Sequence, residues 1–422
     1  MTDANHSPRT RLPVLLAACV GNGFEFYNVT IYAFVAVTLS RLFFPAGRFS
    51  GSMLLTFGLF GVSYIVRPLG GLVLGAYADR AGRRASLLLS ISLMLAGTVL
   101  LVFSPTFETI GIWAPVLLLC ARLLQGLALG GEFGSTAAYL LENAPLQKQS
   151  LYASLQFASQ GFGALLTAIV MFAVSRLSNA QMAAWGWRVP FAVGLLLAPI
   201  GLYLRKHMRD TEAFLHTRPV RHPIHDLLRH HGKRIAVAAA STAVLSANIY
   251  LRVYLPTFAQ TRLGIPIASS ALLMLITALS SMVLVPLSAN LVTPRNGLRW
   301  MSAVIVTTLL AIWPLLHMLD VYRSRAALIV AYTLLTVLSA LYSAPQAWFV
   351  SMLFPTHVRA GGVGASFNFG VLLFGGFAPA IYAALASSTE TIASSAVYVA
   401  FAGCISLISI AVTPKRLRAA RV

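Results

Sequence analysis

Apolar residues fill this chain in long blocks separated by short polar breaks. The blocks run at roughly 12–36, 54–77, 85–104, 112–141, 151–174 and 187–205, and again at roughly 234–258, 267–291, 300–319, 326–353, 362–386 and 392–412. Each is about 20 residues or longer, enough to cross a hydrocarbon core as an α-helix. An open sheet would leave backbone groups unsatisfied in lipid, so helix is the one element these blocks predict. The pattern predicts an all-α membrane protein of twelve transmembrane helices in two pseudo-symmetric six-helix halves. Residues 1–205 form the first half, 206–233 a polar linker, and 234–422 the second half. Two echoes at half-chain distance fit such a repeat. Pro68-Leu69-Gly70-Gly71 pairs with Pro286-Leu287-Ser288-Ala289, offset by 218, and Pro145 with Pro355, offset by 210.

Composition agrees with a bilayer partner: 58% of residues are hydrophobic and 10% charged, against about a quarter charged in soluble domains. A formal charge of +20 raises nucleic-acid binding as a function, but the basic residues gather in alternate loops. Arg80, Arg83 and Arg84 lie in loop 2–3, Arg205, Lys206, Arg209, Arg221, Arg229, Lys233 and Arg234 around the linker, and Arg299 and Arg359 in later loops. The opposite face holds fewer, so both termini are expected in the cytoplasm and no nucleic acid is expected as a partner. Cys19, Cys120 and Cys404 lie in apolar blocks without paired spacing, which predicts neither disulfides nor a structural metal. Six histidines occupy the linker with no ligand pair in convincing spacing, so it reads as a solvated basic segment touching anionic lipid. No phosphate-binding loop, nucleophile elbow or zinc-protease motif is present. The chain is not expected to be an enzyme or to need a cofactor, and any transport must run on gradients.

Ionisable side chains inside a span cost roughly 2.5–3.5 kcal/mol on insertion scales and are functional candidates. Glu25 and Glu132 are candidate proton carriers; the alternatives are a structural acid neutralised by arginine for Glu25 and a structural hydrogen-bond acceptor for Glu132. Arg122 is a candidate partner for Glu25 or for a substrate carboxylate, through its forked donors. Arg252 is either a second substrate cation or an arginine reaching for the interface. Asn22, Gln156, Gln160, Asn248, Tyr250, Tyr342, Gln346 and Asn368 are further candidates for the binding site or for interhelical hydrogen bonds.

One segment is denser in charge and glycine than any other: Arg67, Gly71, Gly75, Asp79, Arg80, Gly82, Arg83 and Arg84 mark the end of one helix and the start of the next. It resembles the loop 2–3 motif of the major facilitator superfamily. Gly21-Asn22 with Glu25-Phe26-Tyr27, Arg122 through Gln125-Gly126 to Gly130-Gly131-Glu132, Trp185 to Phe191, and Phe354-Pro355 with Arg359, Asn368 and Phe374-Gly375-Gly376 resemble further motifs of its metabolite:proton symporter family. The resemblance is nearest to the citrate/tricarballylate and 2-oxoglutarate branches. It implies a monomeric symporter of the bacterial inner membrane that moves a small organic anion, a di- or tricarboxylate, with protons by alternating access. Proline, betaine or shikimate as substrate is an alternative, and so is a non-transporting sensor. The resemblance also implies that Asp79 and its arginines act as a latch between the halves. Asn28 stands where the family usually has an aspartate. The second-half copy of the latch is eroded at Val292 to Arg299.

Overall fold

The computed structural model describes residues 11–45, 52–217, 221–264, 268–293 and 296–413. Both chain ends and three basic residues of the loops, Arg48, Arg218 and Arg295, lie outside the described residues, and with them the expected placement of the termini.

Among the described residues twelve long helices follow in order. The first six are α1 (Arg11–Phe43), α2 (Ser52–Ala81), α3 (Arg83–Phe103), α4 (Trp113–Glu142), α5 (Gln149–Val174) and α6 (Arg188–Lys206). The second six are α7 (Pro223–Leu263), α8 (Ala268–Leu291), α9 (Gly297–Tyr322), α10 (Arg325–Met352), α11 (359–389) and α12 (Ile392–Val412). Large apolar side chains point outward, with Leu196, Leu310 and Phe103 more than 70% exposed. A water-soluble surface would not show this as its rule; here lipid is the solvent for that face.

The half-chain echoes have structural counterparts. Pro68 and Pro286 both sit inside their helices, α2 and α8. Pro145 and Pro355 both precede a short 3₁₀ turn, Leu146–Lys148 and Thr356–Val358, that feeds the next helix.

Part of the linker is helical. Residues from Pro223 onward are helical and run into the seventh span as one 41-residue helix. Pro223 suits the first helical turn, where its missing N–H costs nothing. Leu227 is buried against the bundle while Leu228, Arg229 and His230 face outward.

The halves meet where α2, α4 and α5 of the first pack on α8, α10 and α11 of the second. The approach of α2 to α11 is backbone on backbone: a Cβ added at Gly75 would lie 2.5 Å from Gly361 Cα, and one at Gly71 2.6 Å from the Gly364 carbonyl. Only glycine permits that distance. Between α2 and α3 the chain reverses at a single residue, Gly82, whose φ of 107° an L side chain rarely adopts.

Candidate functional site

Three polar assemblies occupy the bundle at different depths. The deepest in chemical consequence is a buried triad within the first half. Arg205, next to the last residue of α6, is fully buried. Its Nη1 donates to Glu25 Oε1 at 2.8 Å and to the Leu87 carbonyl at 2.8 Å, and its Nη2 donates to Glu132 Oε1. Thr136 Oγ1 also donates to Glu132 Oε1 at 2.8 Å. The second oxygen of each acid, and Arg205 Nε, have no hydrogen-bond partner among the described residues. One guanidinium is thus shared by two carboxylates with all three groups out of solvent. If both acids ionise the triad carries a net negative charge, which burial opposes; a proton on one of them restores neutrality. Glu25 also lines a small cavity with Asn28 and Thr98, between α1, α3 and α6.

Of the two alternatives for Arg122, partner of Glu25 or of a substrate carboxylate, the first is not what the structure shows: Glu25 pairs with Arg205, which the sequence counted among the basic residues around the linker. Arg122 lies ten residues from Glu132 along α4, about 15 Å by helical rise. It sits on the Tyr32 ring at 4.2 Å and donates to Gln125 Oε1 at 2.7 Å. Gln125 Nε2 donates to Thr98 Oγ1, and Thr98 in turn to Asn28 Oδ1, each at 3.3 Å. Asn28 therefore belongs to the chain of hydrogen bonds that ends at Arg122.

Arg122 belongs to a second assembly, midway along the bundle. It is within electrostatic reach of Arg67 and Tyr64. Arg67 lies over the Tyr64 ring at 4.6 Å, and Tyr64 meets Tyr250 of the second half edge-on at 5.8 Å. Two cations and three tyrosines thus gather where α1, α2 and α4 face α7. Arg67 precedes Asp79 by twelve residues, about 18 Å along α2. It stands with this central cluster and apart from the rest of the glycine-rich segment with which the sequence grouped it.

The other candidates divide cleanly. Asn22 Nδ2 donates to the Gln156 carbonyl at 2.9 Å and to Ser159 Oγ at 2.6 Å, and Gln156 Nε2 to the Phe133 carbonyl at 2.9 Å. These bonds tie α1, α5 and α4 together. Gln160 is half-buried on α5. In the second half Gln346 donates to Thr242 Oγ1 at 3.0 Å, and Tyr342 to the Ser241 carbonyl at 2.7 Å. Asn248 lines a small cavity within that half, beside Tyr342 and Ser339. Arg252 is buried and donates to Thr336 Oγ1 at 3.2 Å, so it does not reach for the membrane surface. Asn368 crosses between the halves, donating to the Gly130 carbonyl at 3.0 Å. Phe367 stacks beside it on Phe133 at 3.5 Å between ring centres, a contact the sequence did not single out.

The third assembly lies at the basic end of the helices. Asp79 accepts from the backbone N–H groups of Ala360 at 3.1 Å and Gly361 at 2.8 Å, at the first turn of α11. An acid there also meets the positive end of that helix dipole. Asp79 accepts from Arg83 Nη1 at 2.9 Å, and Arg83 donates to Glu142 Oε1 at 2.8 Å and to the Thr356 carbonyl at 2.8 Å. Arg359 donates to the same Glu142 oxygen at 3.1 Å. Arg84 donates to the Lys206 carbonyl at 2.8 Å, while Arg80 is exposed. Glu142 was missed from sequence because it ends its helix, where an acid reads as solvated.

Comparison with known proteins agrees with this architecture. Residues 14–222 match the family model described as sugar (and other) transporter. A citrate-proton symporter of Klebsiella pneumoniae is 33% identical over 94% of this chain and 91% of its own. The alpha-ketoglutarate permease of Escherichia coli (strain K12) is 32% identical over 90% and 88%. An ectoine/proline transporter of Corynebacterium glutamicum is 30% identical over 94% and 83%. Among solved structures, the proton:xylose symporter XylE superposes with a TM-score of 0.75, at 15% identity over 94% of each chain. That likeness speaks for the fold alone. The twelve-helix arrangement, the loop 2–3 segment and the full-length relatives together place the chain in the major facilitator superfamily, and it belongs there to the metabolite:proton symporter family.

Proposed function

We propose that this protein is a secondary active transporter that carries an organic anion, a di- or tricarboxylate such as citrate, together with protons by alternating access. The observation that carries the reading is the buried triad of Glu25, Arg205 and Glu132. One arginine neutralises one carboxylate, so the second acid is the place where a proton boards and leaves. The full-length relatives named for citrate and alpha-ketoglutarate support the substrate class.

In this mechanism the substrate carboxylates bind the central cluster, where Arg122 and Arg67 provide positive charge and Tyr32, Tyr64 and Tyr250 provide hydroxyls. Forked guanidinium donors suit carboxylates. Arg252 is the second-half cation for a further carboxylate. Asp79, Arg83 and Glu142 hold the basic end shut by gripping α11 and the turn before it, and release it when the halves rock. The basic end is the cytoplasmic side of the inner membrane, with both termini there, and one chain is the working unit.

Uptake into proteoliposomes tests the reading. Citrate is expected to accumulate when an inward proton gradient is imposed. Uptake that ignores the gradient would overturn symport, and absence of any carboxylate uptake would overturn the substrate class. A second reading has its own support: the relative named for ectoine and proline covers as much of this chain as the citrate relative does. A zwitterion carries one carboxylate, so its uptake would not need Arg252.

A further inference from the structure

The amphipathic start of α7 and the turn before α11 bring together side chains that are far apart in sequence. Asp226, His231 and His357 each present one ligating atom, and these atoms lie within 4.8 Å of one another. His357 Nε2 is 3.7 Å from Asp226 Oδ2, and the rings of His231 and His357 lie 6.1 Å apart at 57°. His231 Nδ1 is buried without a hydrogen-bond partner among the described residues. Asp226 Oδ1 meets His230 Nδ1 at 2.9 Å, which fixes the carboxylate with its other oxygen turned toward His357. All three are half-buried, so the group is open to solutes yet held by its surroundings.

We propose that Asp226, His231 and His357 form a divalent transition-metal site at the basic end of the protein, with zinc its best-suited ion. Two imidazole nitrogens and one carboxylate oxygen are a donor set that zinc accepts, with water in the fourth position. Tetrahedral zinc with bonds of about 2.0–2.1 Å sets its ligand atoms roughly 3.3 Å apart. The His357 to Asp226 separation of 3.7 Å is near this, and the remaining separations, within 4.8 Å, close by side-chain rotation. His230 gives Asp226 the outer hydrogen bond that ligating carboxylates commonly have. An opposing charge is Arg234, one turn along the helix, whose Nη1 donates to the Leu353 carbonyl at 3.1 Å. The linker's histidines alone show no such spacing; the third ligand comes from a turn more than a hundred residues away. The site also stands next to Thr356, whose carbonyl receives Arg83, so a bound ion rests on the turn that the ion-pair cluster grips.

The test is zinc titration of the full-length, detergent-purified protein with any histidine tag removed, read by calorimetry, with cobalt as a spectroscopic probe. One saturable zinc per chain is expected. Asp226→Asn and His357→Ala should each weaken it by about tenfold or more, while His222→Ala, an exposed linker histidine, should leave it unchanged. Cobalt should give the visible absorption of a tetrahedral site in the parent protein and lose it in His231→Ala. No saturable zinc binding would overturn the proposal, as would binding that His357→Ala leaves intact or that His222→Ala weakens equally. Melting curves without metal should coincide for the parent and His357→Ala, which separates lost ligation from lost fold.

Discussion

Arg205 and Glu132 form a salt bridge in which both side chains are fully buried, joining the end of α6 to the middle of α4. The same guanidinium holds Glu25 of α1. Removing one partner from a buried ion pair typically costs about 3–5 kcal/mol, because the remaining charge is stranded. Arg205→Ala should therefore lower the melting temperature and abolish uptake. The triple variant Arg205→Ala, Glu25→Gln, Glu132→Gln removes the stranded acids as well. It is expected to regain most of the lost stability while remaining inactive, as a thermal-shift and uptake comparison would show. Recovery of transport in the triple variant would remove the triad from the mechanism.

The acids themselves separate coupling from translocation. Glu132→Gln leaves a one-to-one pair of Glu25 and Arg205 with no acid in excess. Such a protein should still exchange labelled citrate across the membrane at equal pH but fail to accumulate it on a proton gradient. Glu25→Gln should behave alike. If either variant accumulated substrate normally, that residue would not carry the coupled proton.

Much of this was legible in the chain, and the rest was hidden for identifiable reasons. Twelve spans are readable because lipid forces backbone groups into helices and sets their length. Glu25, Arg122, Glu132 and Arg252 stand out because an ionisable residue in an apolar block has few benign explanations. Arg205 did not, since it ends an apolar block and is followed by Lys206, which looks like the start of a solvated loop. Only the packing of α6 against α3, whose Leu87 carbonyl it meets, brings it inside. Pairing is the other hidden layer: Glu142 with Arg359 spans 217 residues, and Asp79 with Gly361 spans 282. Spacing within a helix says nothing about such partners.

The Asp79 grip on α11 predicts a conformational phenotype. Hydrogen bonds to a charged group contribute about 1.5–3 kcal/mol each, and an asparagine turned to accept from Gly361 loses that charge and aims its amide at another donor. Asp79→Asn should open the basic end and slow turnover, with substrate affinity at equilibrium little changed. Thiol labelling of a cysteine placed at the buried Leu227 should speed up. If Asp79→Asn weakened equilibrium binding but left turnover intact, the latch role would be wrong.

Gly75 tests the same closure by sterics rather than charge. Its missing Cβ would meet Gly361 Cα at 2.5 Å, and backbone cannot swing aside as a side chain does. Overpacking of this kind costs about 1–3 kcal/mol, enough to move a two-state equilibrium roughly 5–150-fold. Gly75→Ala should bias the protein against the closed arrangement while each half stays folded. Uptake should fall with near-normal melting, and a variant with full uptake would mean that α2 and α11 need not approach this closely during transport.

The central cluster distinguishes the two substrate readings. Arg122 and Arg67 stand together near Tyr64, whereas Arg252 is engaged separately by Thr336. Arg122→Gln should abolish uptake of any carboxylate and remove the stabilisation that citrate gives the purified protein, since only a bound ligand raises the melting temperature in this way. Arg67→Gln should weaken binding in the same assay, while Arg80→Gln, exposed at the basic end, should not. Arg252→Gln should reduce citrate uptake and spare betaine or proline, because a single carboxylate is already met by Arg122. Full citrate uptake by Arg122→Gln would remove the anion site from this cluster, and equal loss of citrate and betaine in Arg252→Gln would make that arginine structural.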